Sequence, residues 1–315
     1  MEDDGLAQCR LLYYVGMYDA CSSRCARQLV AGQLAQQEKE GLVYACRLQQ
    51  AFQQQGGFPP DELQRLATSN NSFLRSLALY CLFLEAKSHS ERMGLYQQLR
   101  DTLQHHCNSF SAFFTSCAAA ALQRFTEALD ITAQVPVLEM QVLRVQHLLL
   151  MNRGELAAEA AEKMVAQDDD CCMGKLASAL VYTVQGNPQE ASYFLRDIEM
   201  ACLQEGQPNP SSLLIVGKAA AHLQRRRWTD CFRDATEAYQ LTPCNTEALV
   251  NLICCCRNMR KHRDADFFFE RLKSVAPTHH LVQKMNELDV AFSNFRLASS
   301  VAGVGVVPPV GQPLL

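Results

Sequence analysis

Residues 217–243 read GKAAAHLQRRRWTDCFRDATEAYQLTP, and residues 251–277 read NLICCCRNMRKHRDADFFFERLKSVAP. The two stretches run in register at an interval of 34 residues: Trp228, Cys231, Ala238 and Pro243 are answered by His262, Ala265, Leu272 and Pro277. Upstream, Ala157 and Ala191 keep the same interval, as do the turn residues Asn152 and Gly186. This is the period of tetratricopeptide helix hairpins, in which two helices and a short turn make a unit that cannot bury its apolar face alone. The spacing therefore predicts an all-α, right-handed superhelical solenoid of tetratricopeptide-like hairpins, with stacked units and a curved surface.

Each position in the period has a physical reason. A small residue, here Ala157, Ala191, Cys231 or Ala265, lets two helix backbones approach closely. The position three residues earlier takes a bulky wedge, with Trp228 as its best example. The proline ends the second helix, because it donates no backbone hydrogen bond and disfavours helix just before it. Apolar residues recur at three- and four-residue steps in Ala191–Phe194–Leu195–Ile198–Cys202 and in Trp228–Cys231–Phe232–Ala235–Ala238–Tyr239. That is helical periodicity, and it reads as core rather than as a cofactor stack.

Elsewhere the pattern predicts a first hairpin over about Gly5 to Val30, with Gly16 and Tyr18 at its turn and Cys21 in the small slot. Helices follow near 35–54, 61–68, 72–87 and 90–106, and another hairpin starts at Ser109 with Ala128 in its small slot. The interval from Ala128 to Ala157 shortens to 29, and that from Ala191 to Cys231 lengthens to 40, with the excess in Gly206-Gln207-Pro208-Asn209-Pro210. Two segments result: a solenoid over residues 1–298, and an uncharged tail over 299–315 whose glycines and prolines read as flexible rather than as a membrane anchor.

Composition narrows the function classes. The chain has 315 residues, 48% hydrophobic and 20% charged, with a net charge of −4 that gives no electrostatic reason to expect nucleic acid or direct membrane binding. Arg225-Arg226-Arg227 forms a local basic cluster. It reads first as a solvated turn, with a contact to an acidic partner segment as the sharper alternative. The acidic start, Met1-Glu2-Asp3-Asp4, lacks the basic residues and apolar run of a secretory signal, so a cytoplasmic location is expected and Asn70-Asn71-Ser72 carries no glycosylation meaning. The fifteen cysteines show no paired C-x-x-C spacing and several occupy small packing slots, so they read as core thiols without metal or disulfide. No phosphate-binding, dinucleotide, zinc-protease or nucleophile-elbow motif is present. The reading is a non-enzymatic protein without catalytic, cofactor or metal residues.

Several stretches carry a resemblance. Tyr13-Tyr14-Val15-Gly16-Met17-Tyr18, Gly217-Lys218-Ala219-Ala220-Ala221-His222 with Arg227-Trp228, Thr246 to Ile253, and Pro277-Thr278-His279-His280 to Phe292 are similar to segments of the coatomer epsilon subunit family. The resemblance covers most of residues 1–298; Arg226 stands where the family has a turn glycine, and the cysteine content is high. It implies a coat subunit whose solenoid encloses a hairpin of the coatomer alpha subunit carboxy-terminal domain, within the rest of the coatomer. The implied setting is Golgi-to-endoplasmic-reticulum and intra-Golgi transport, in the cytoplasm and peripheral on Golgi membranes and coated vesicles.

Phasing from the small slot places Val142, Leu149, Leu176, Leu180, Val216, Leu223, Val250 and Cys254 on the concave wall, an apolar surface suited to a partner element. A tetratricopeptide cochaperone or other adaptor gripping a peptide tail is the alternative. It needs cationic and amide side chains on that wall, for which Asn251 and Arg257 are the candidates. A helical toroidal enzyme with a central metal ranks third, for want of ligand spacing.

Overall fold

The structure, a computed structural model, describes residues 5–53, 59–204 and 211–301. Among them are seventeen α-helices and no strand. Each odd-numbered helix and the even-numbered one after it are counted as one repeat: α1 (Ala7–Tyr14) and α2 (Tyr18–Arg27), α3 (Gln33–Gln53) and α4 (Pro60–Ala67), α5 (Ser72–Glu85) and α6 (His89–His105), α7 (Ser109–Ala121) and α8 (Phe125–Gln134); all pack as hairpins except the second, where α3 packs on α2 and α5 and α4 packs on α5. They continue with α9 (Leu138–Leu150) and α10 (Gly154–Gln167), α11 (Cys172–Val184) and α12 (Pro188–Gln204), α13 (Ser212–Gln224) and α14 (Trp228–Leu241), and α15 (Thr246–Asn258) and α16 (His262–Val275). A last helix, α17 (His280–Val301), follows. Residues 299–301 are thus helical, and the rest of the expected tail lies outside the described residues, as does the expected loop over 206–210.

Six of the hairpins reverse through one repeated device. The second residue after the first helix sits in the left-handed backbone region: Gly16, Gln123, Asn152, Gly186, Arg226 and Arg260. In the repeat-4 hairpin, Gln123 N–H donates to the Ala120 carbonyl at 2.9 Å and Arg124 N–H to the Ala119 carbonyl at 2.9 Å. These paired bonds satisfy carbonyls that a helix end would otherwise leave open. The Arg124 carbonyl then accepts from Ala128 N–H at 3.0 Å, which starts the second helix. Ala128 is the small-slot residue, and it, Cys21, Ala157, Ala191, Cys231 and Ala265 are all 0% exposed. The slot is filled by whatever is small and apolar, which explains the buried thiols at Cys21 and Cys231. The wedge position is less strict. Trp228 is only half-buried, and Gly154, Pro188 and His262 hold the same place, because the first residue of the second helix lies at the rim of its hairpin.

The odd-numbered helices α3, α5, α7, α9 and α11 pack side by side, as do α13 and α15, whereas the even-numbered helices pack chiefly on the odd ones. The odd layer therefore lies inside the curve. Between α11 and α13 the side-by-side packing lapses and α12 joins the repeats instead, at the place where the interval lengthens to 40 residues.

Repeats 4 and 5 are also tied by a buried polar contact. Ser116 Oγ donates to the Ala128 carbonyl at 3.0 Å and lies 2.8 Å from His147 Nε2. With the serine proton engaged, His147 Nε2–H donates and Nδ1 is left buried and unpartnered. A proton there would place a charge in the core, so burial pushes the imidazole pKa down to about 4.

Two outcomes follow from this packing. Ala157→Leu, which overfills a slot, should lower unfolding free energy by about 1–3 kcal/mol, while Leu156→Ala on the exposed neighbour stays within about 0.5 kcal/mol; urea denaturation measures both. For His147, the folded pKa lies below the unfolded value near 6.5, so its contribution is complete above that pH and is lost as pH falls toward 4. His222, also shifted down chiefly by burial, acts in the same direction. His147→Gln, which keeps a donor to Ser116, should flatten the decline in melting temperature over that window without abolishing it.

Candidate functional site

The inner surface begins with the first helix. Arg10 Nε and Nη2 donate to Glu38 Oε1 and Oε2 at 2.6 and 3.0 Å, which locks α1 to α3 in a bidentate pair. One turn on, Tyr13 and Tyr14 point away from solvent. The Tyr14 ring lies 5.2 Å from that of Phe113 and the Tyr13 ring 6.5 Å from that of Phe110, both on α7. Burial lifts both phenol pKa values well above the ordinary range, so the rings are neutral packing groups.

The end of α1 reaches much further along the chain. Ser211 Oγ, at the start of α13, donates to the Val15 carbonyl. A Cβ placed on Gly16 would sit 3.0 Å from Ser211 Oγ and 3.2 Å from Leu213 Cβ. Gly16 thus serves two needs at once, a left-handed turn and a close approach. The first hairpin thereby bridges repeats 2–4 to repeat 7 and closes the curve on itself, at the lapse between α11 and α13.

The eight residues phased onto the concave wall fall into two groups. Val142, Leu149, Leu176 and Leu180 share one apolar cluster with Val145, Ala157 and Val181. Leu11 and Tyr14 of α1 pack against that cluster, so the chain's own first helix covers part of this wall. Val142 is accordingly 9% exposed and the other three are half-buried. The remaining four are not brought into one cluster. Val216 lies with Ile215, Ala238 and Ala248; Leu223 with Cys231 and Leu252; Val250 with Leu249 and Leu272. Cys254 is half-buried outside these clusters, and burial raises its thiol pKa. Leu11, Tyr14 and Phe113 were not among the wall residues read from sequence. The only local signal was aromatic density, Tyr13-Tyr14 in α1 and Phe110, Phe113 and Phe114 in α7.

A cavity of about 790 Å³ opens where the inner helices begin, lined by Leu11, Arg10, Glu38, Phe73, Asn108 and Glu139 among others. The amino-terminal ends of α5, α7, α9 and α11 meet at its rim. It is a mouth of mixed character, lined by apolar and charged side chains alike.

Polar chemistry of other kinds is poorly served. Asn251 is buried and Arg257 Nη2 is tied to Asp266 Oδ1 at 2.6 Å on the exposed edge, so neither is offered to a peptide carboxylate. Among the described residues no group of three His, Cys, Asp or Glu side chains is placed to hold a metal ion. Burial pushes the Cys81 and Cys117 thiols up to about 12, which keeps them protonated and inert. No helix among the described residues is long and apolar enough to cross a membrane.

Hairpin repeats, a small-residue slot and an apolar inner layer define a tetratricopeptide-type helical solenoid, the class of protein to which this chain belongs. Solved structures agree on the fold. The chain is similar to the crystal structure of the APC/C hetero-tetramer Cut9–Hcn1, with a TM-score of 0.57 at 8% identity, over 89% of this chain and 54% of that one, so it spans about half of that length. It is similar to a tetratricopeptide repeat protein from Parabacteroides merdae at a TM-score of 0.53 and 12% identity, over 89% of this chain and 97% of that one. At the sequence level, the profile of the family described as Coatomer epsilon subunit matches residues 2–300, and the chain belongs to that family. It is 23% identical over 305 residues to the Coatomer subunit epsilon of Dictyostelium discoideum, covering 93% of this chain and 97% of that protein.

The closing contact at Gly16 is open to a direct check. Gly186→Ala meets no neighbour within 4 Å and should cost only the left-handed strain, about 1–2 kcal/mol. Gly16→Ala carries that strain and the collision with Ser211 and Leu213, and should cost about 1–3 kcal/mol more. Equal costs in chemical denaturation would mean that the first hairpin does not seat on α13 in solution.

Proposed function

We propose that this chain is a non-enzymatic subunit of the coatomer vesicle coat that holds the carboxy-terminal domain of the coatomer alpha subunit. Through that contact it joins the rest of the coat in Golgi-to-endoplasmic-reticulum and intra-Golgi transport, cytoplasmic and peripheral on Golgi membranes and vesicles. The observation that carries this reading is the family match over residues 2–300 on a solenoid whose inner layer is closed by its own first hairpin. Such a closed curve leaves a mouth of about 790 Å³, which suits a protruding element of a partner. The half-buried apolar residues Val216, Leu223 and Val250 lie on α13 and α15, outside the lining of that mouth, and would gain their remaining burial from a partner element that extends along the inner layer. The apolar character of these positions favours a partner hairpin over a chaperone's carboxylate tail.

The test is binding to a purified alpha-coatomer carboxy-terminal fragment. A carboxylate buried without a partner is costly. Val216→Glu or Val250→Glu should therefore weaken binding by at least about a hundredfold, with the melting temperature nearly kept because both side chains are half-exposed in the free chain. Native-like binding by both variants would remove Val216 and Val250 from the contact. Failure of the native chain to bind the fragment would overturn the reading itself.

A further inference from the structure

The turns of the last two repeats carry charge that neither the fold nor the inner wall uses. Arg226 and Arg260 occupy the left-handed turn position, with φ of 57° and 61°, where repeats 5 and 6 have Asn152 and Gly186. An L-residue there costs about 1–2 kcal/mol, and glycine or asparagine avoids most of it. Gln123 in repeat 4 shares the conformation, so the strain is bearable. What sets repeats 7 and 8 apart is their side chains. Both arginines are exposed, and neither they nor Arg263 form an ion pair among the described residues. Packing therefore gives no return for the strain, the circumstance in which a binding role is the physical reading.

The charge is dense and mostly positive. Residues 225–233 and 257–266 together hold eight basic and three acidic side chains, in a chain whose net charge is −4. Asp230 and Asp266 are already engaged by Arg227 at 2.8 Å and Arg257 at 2.6 Å. The two turns share one edge of the solenoid: α14 packs on α15, and Lys261 Nζ from the second turn lies 4.8 Å from the centroid of the Phe232 ring, one helical turn beyond the first. Seven of the eight cations are arginines. A diffuse anionic surface attracts any cation, whereas a planar guanidinium is matched to a carboxylate through two parallel hydrogen bonds.

We propose that the turn edge of repeats 7 and 8 docks an acidic protein segment, one with closely spaced aspartate or glutamate side chains. Arg226, Arg260 and Arg263 are its free anchors, and Arg227 and Arg257 join it by exchanging their internal carboxylates. Substitutions at Arg226 and Arg260 leave Val216 and Val250 unchanged, so failure of this edge and failure of the alpha-subunit contact are distinguishable.

The test uses the full chain, a fluorescent glutamate-rich peptide, the matching glutamine-rich peptide, and vesicles of phosphatidylserine and phosphatidylcholine. The native chain should bind the glutamate-rich peptide, with affinity falling as salt rises, and should ignore the glutamine-rich one. Arg226→Gly with Arg260→Gly should weaken binding by at least about tenfold. Because glycine relieves the left-handed strain, that variant should melt no lower than the native chain, so lost binding cannot be blamed on lost folding. A charge-matched control, Arg144→Gln with Arg153→Gln on exposed sites of repeat 5, should bind as the native chain does. The proposal is overturned if the glycine variant binds normally, if the control loses as much, if the native chain prefers the vesicles, or if it binds neither.

Discussion

Every regular repeat depends on one residue in the left-handed region between two helices. The amide three places beyond the first helix reaches back to close it, and the carbonyl of that same residue accepts the amide of the small-slot residue to open the second. The angle between the helices is thus settled by a few hydrogen bonds, and the small slot must be small because the backbones it separates have already been brought together. The 34-residue period follows from this device and from helices of constant length, 13 residues in α13 and α15 and 14 in α14 and α16. Where the interval departs from 34, the second helix changes length: α8 has 10 residues in the shortened interval and α12 has 17 in the lengthened one.

A second constraint acts at long range. A solenoid has two free ends, and each exposes the inner layer that the next repeat would cover. Here the first hairpin turns inward. Its Leu11 and Tyr14 lie on the cluster of repeats 5 and 6, its Tyr13 and Tyr14 rings meet α7, and its turn docks on Ser211 and Leu213. That placement converts an open groove into a closed mouth. Leu176 thus packs within the chain's own closure, while Val216 and Val250 belong to other clusters and stay half-buried.

The cysteines follow from the same geometry. Cys9, Cys21, Cys25 and Cys46 are wholly buried where α1, α2 and α3 meet, and Cys21 Sγ donates to the Cys9 carbonyl at 3.1 Å. Cys231 and Cys255 pack together between repeats 7 and 8. In each case sulfur fills a volume close to that of alanine plus a methyl group, with a weak donor that finds a carbonyl or another thiol. High cysteine content here is a packing solution.

The fold was largely legible in the sequence, and the site only in part. The interval between Pro243 and Pro277, the small residues from Ala128 to Ala265, and the helix over Ser109 to Ala121 were readable because they report local backbone requirements that recur along the chain. Trp228 misled, because side-chain size does not reveal that its position lies at a half-covered rim. The eight wall residues were read from periodicity as one face of the odd-numbered helices, and periodicity cannot say what lies opposite a face. Only the tertiary structure brought Val15 to Ser211, 196 residues along the chain, and laid Tyr14 across the wall. The physical reason is one of range: turn geometry and helical stripes are settled within one repeat, whereas closure sums the small rotations of every repeat, and no single stretch of sequence carries that sum.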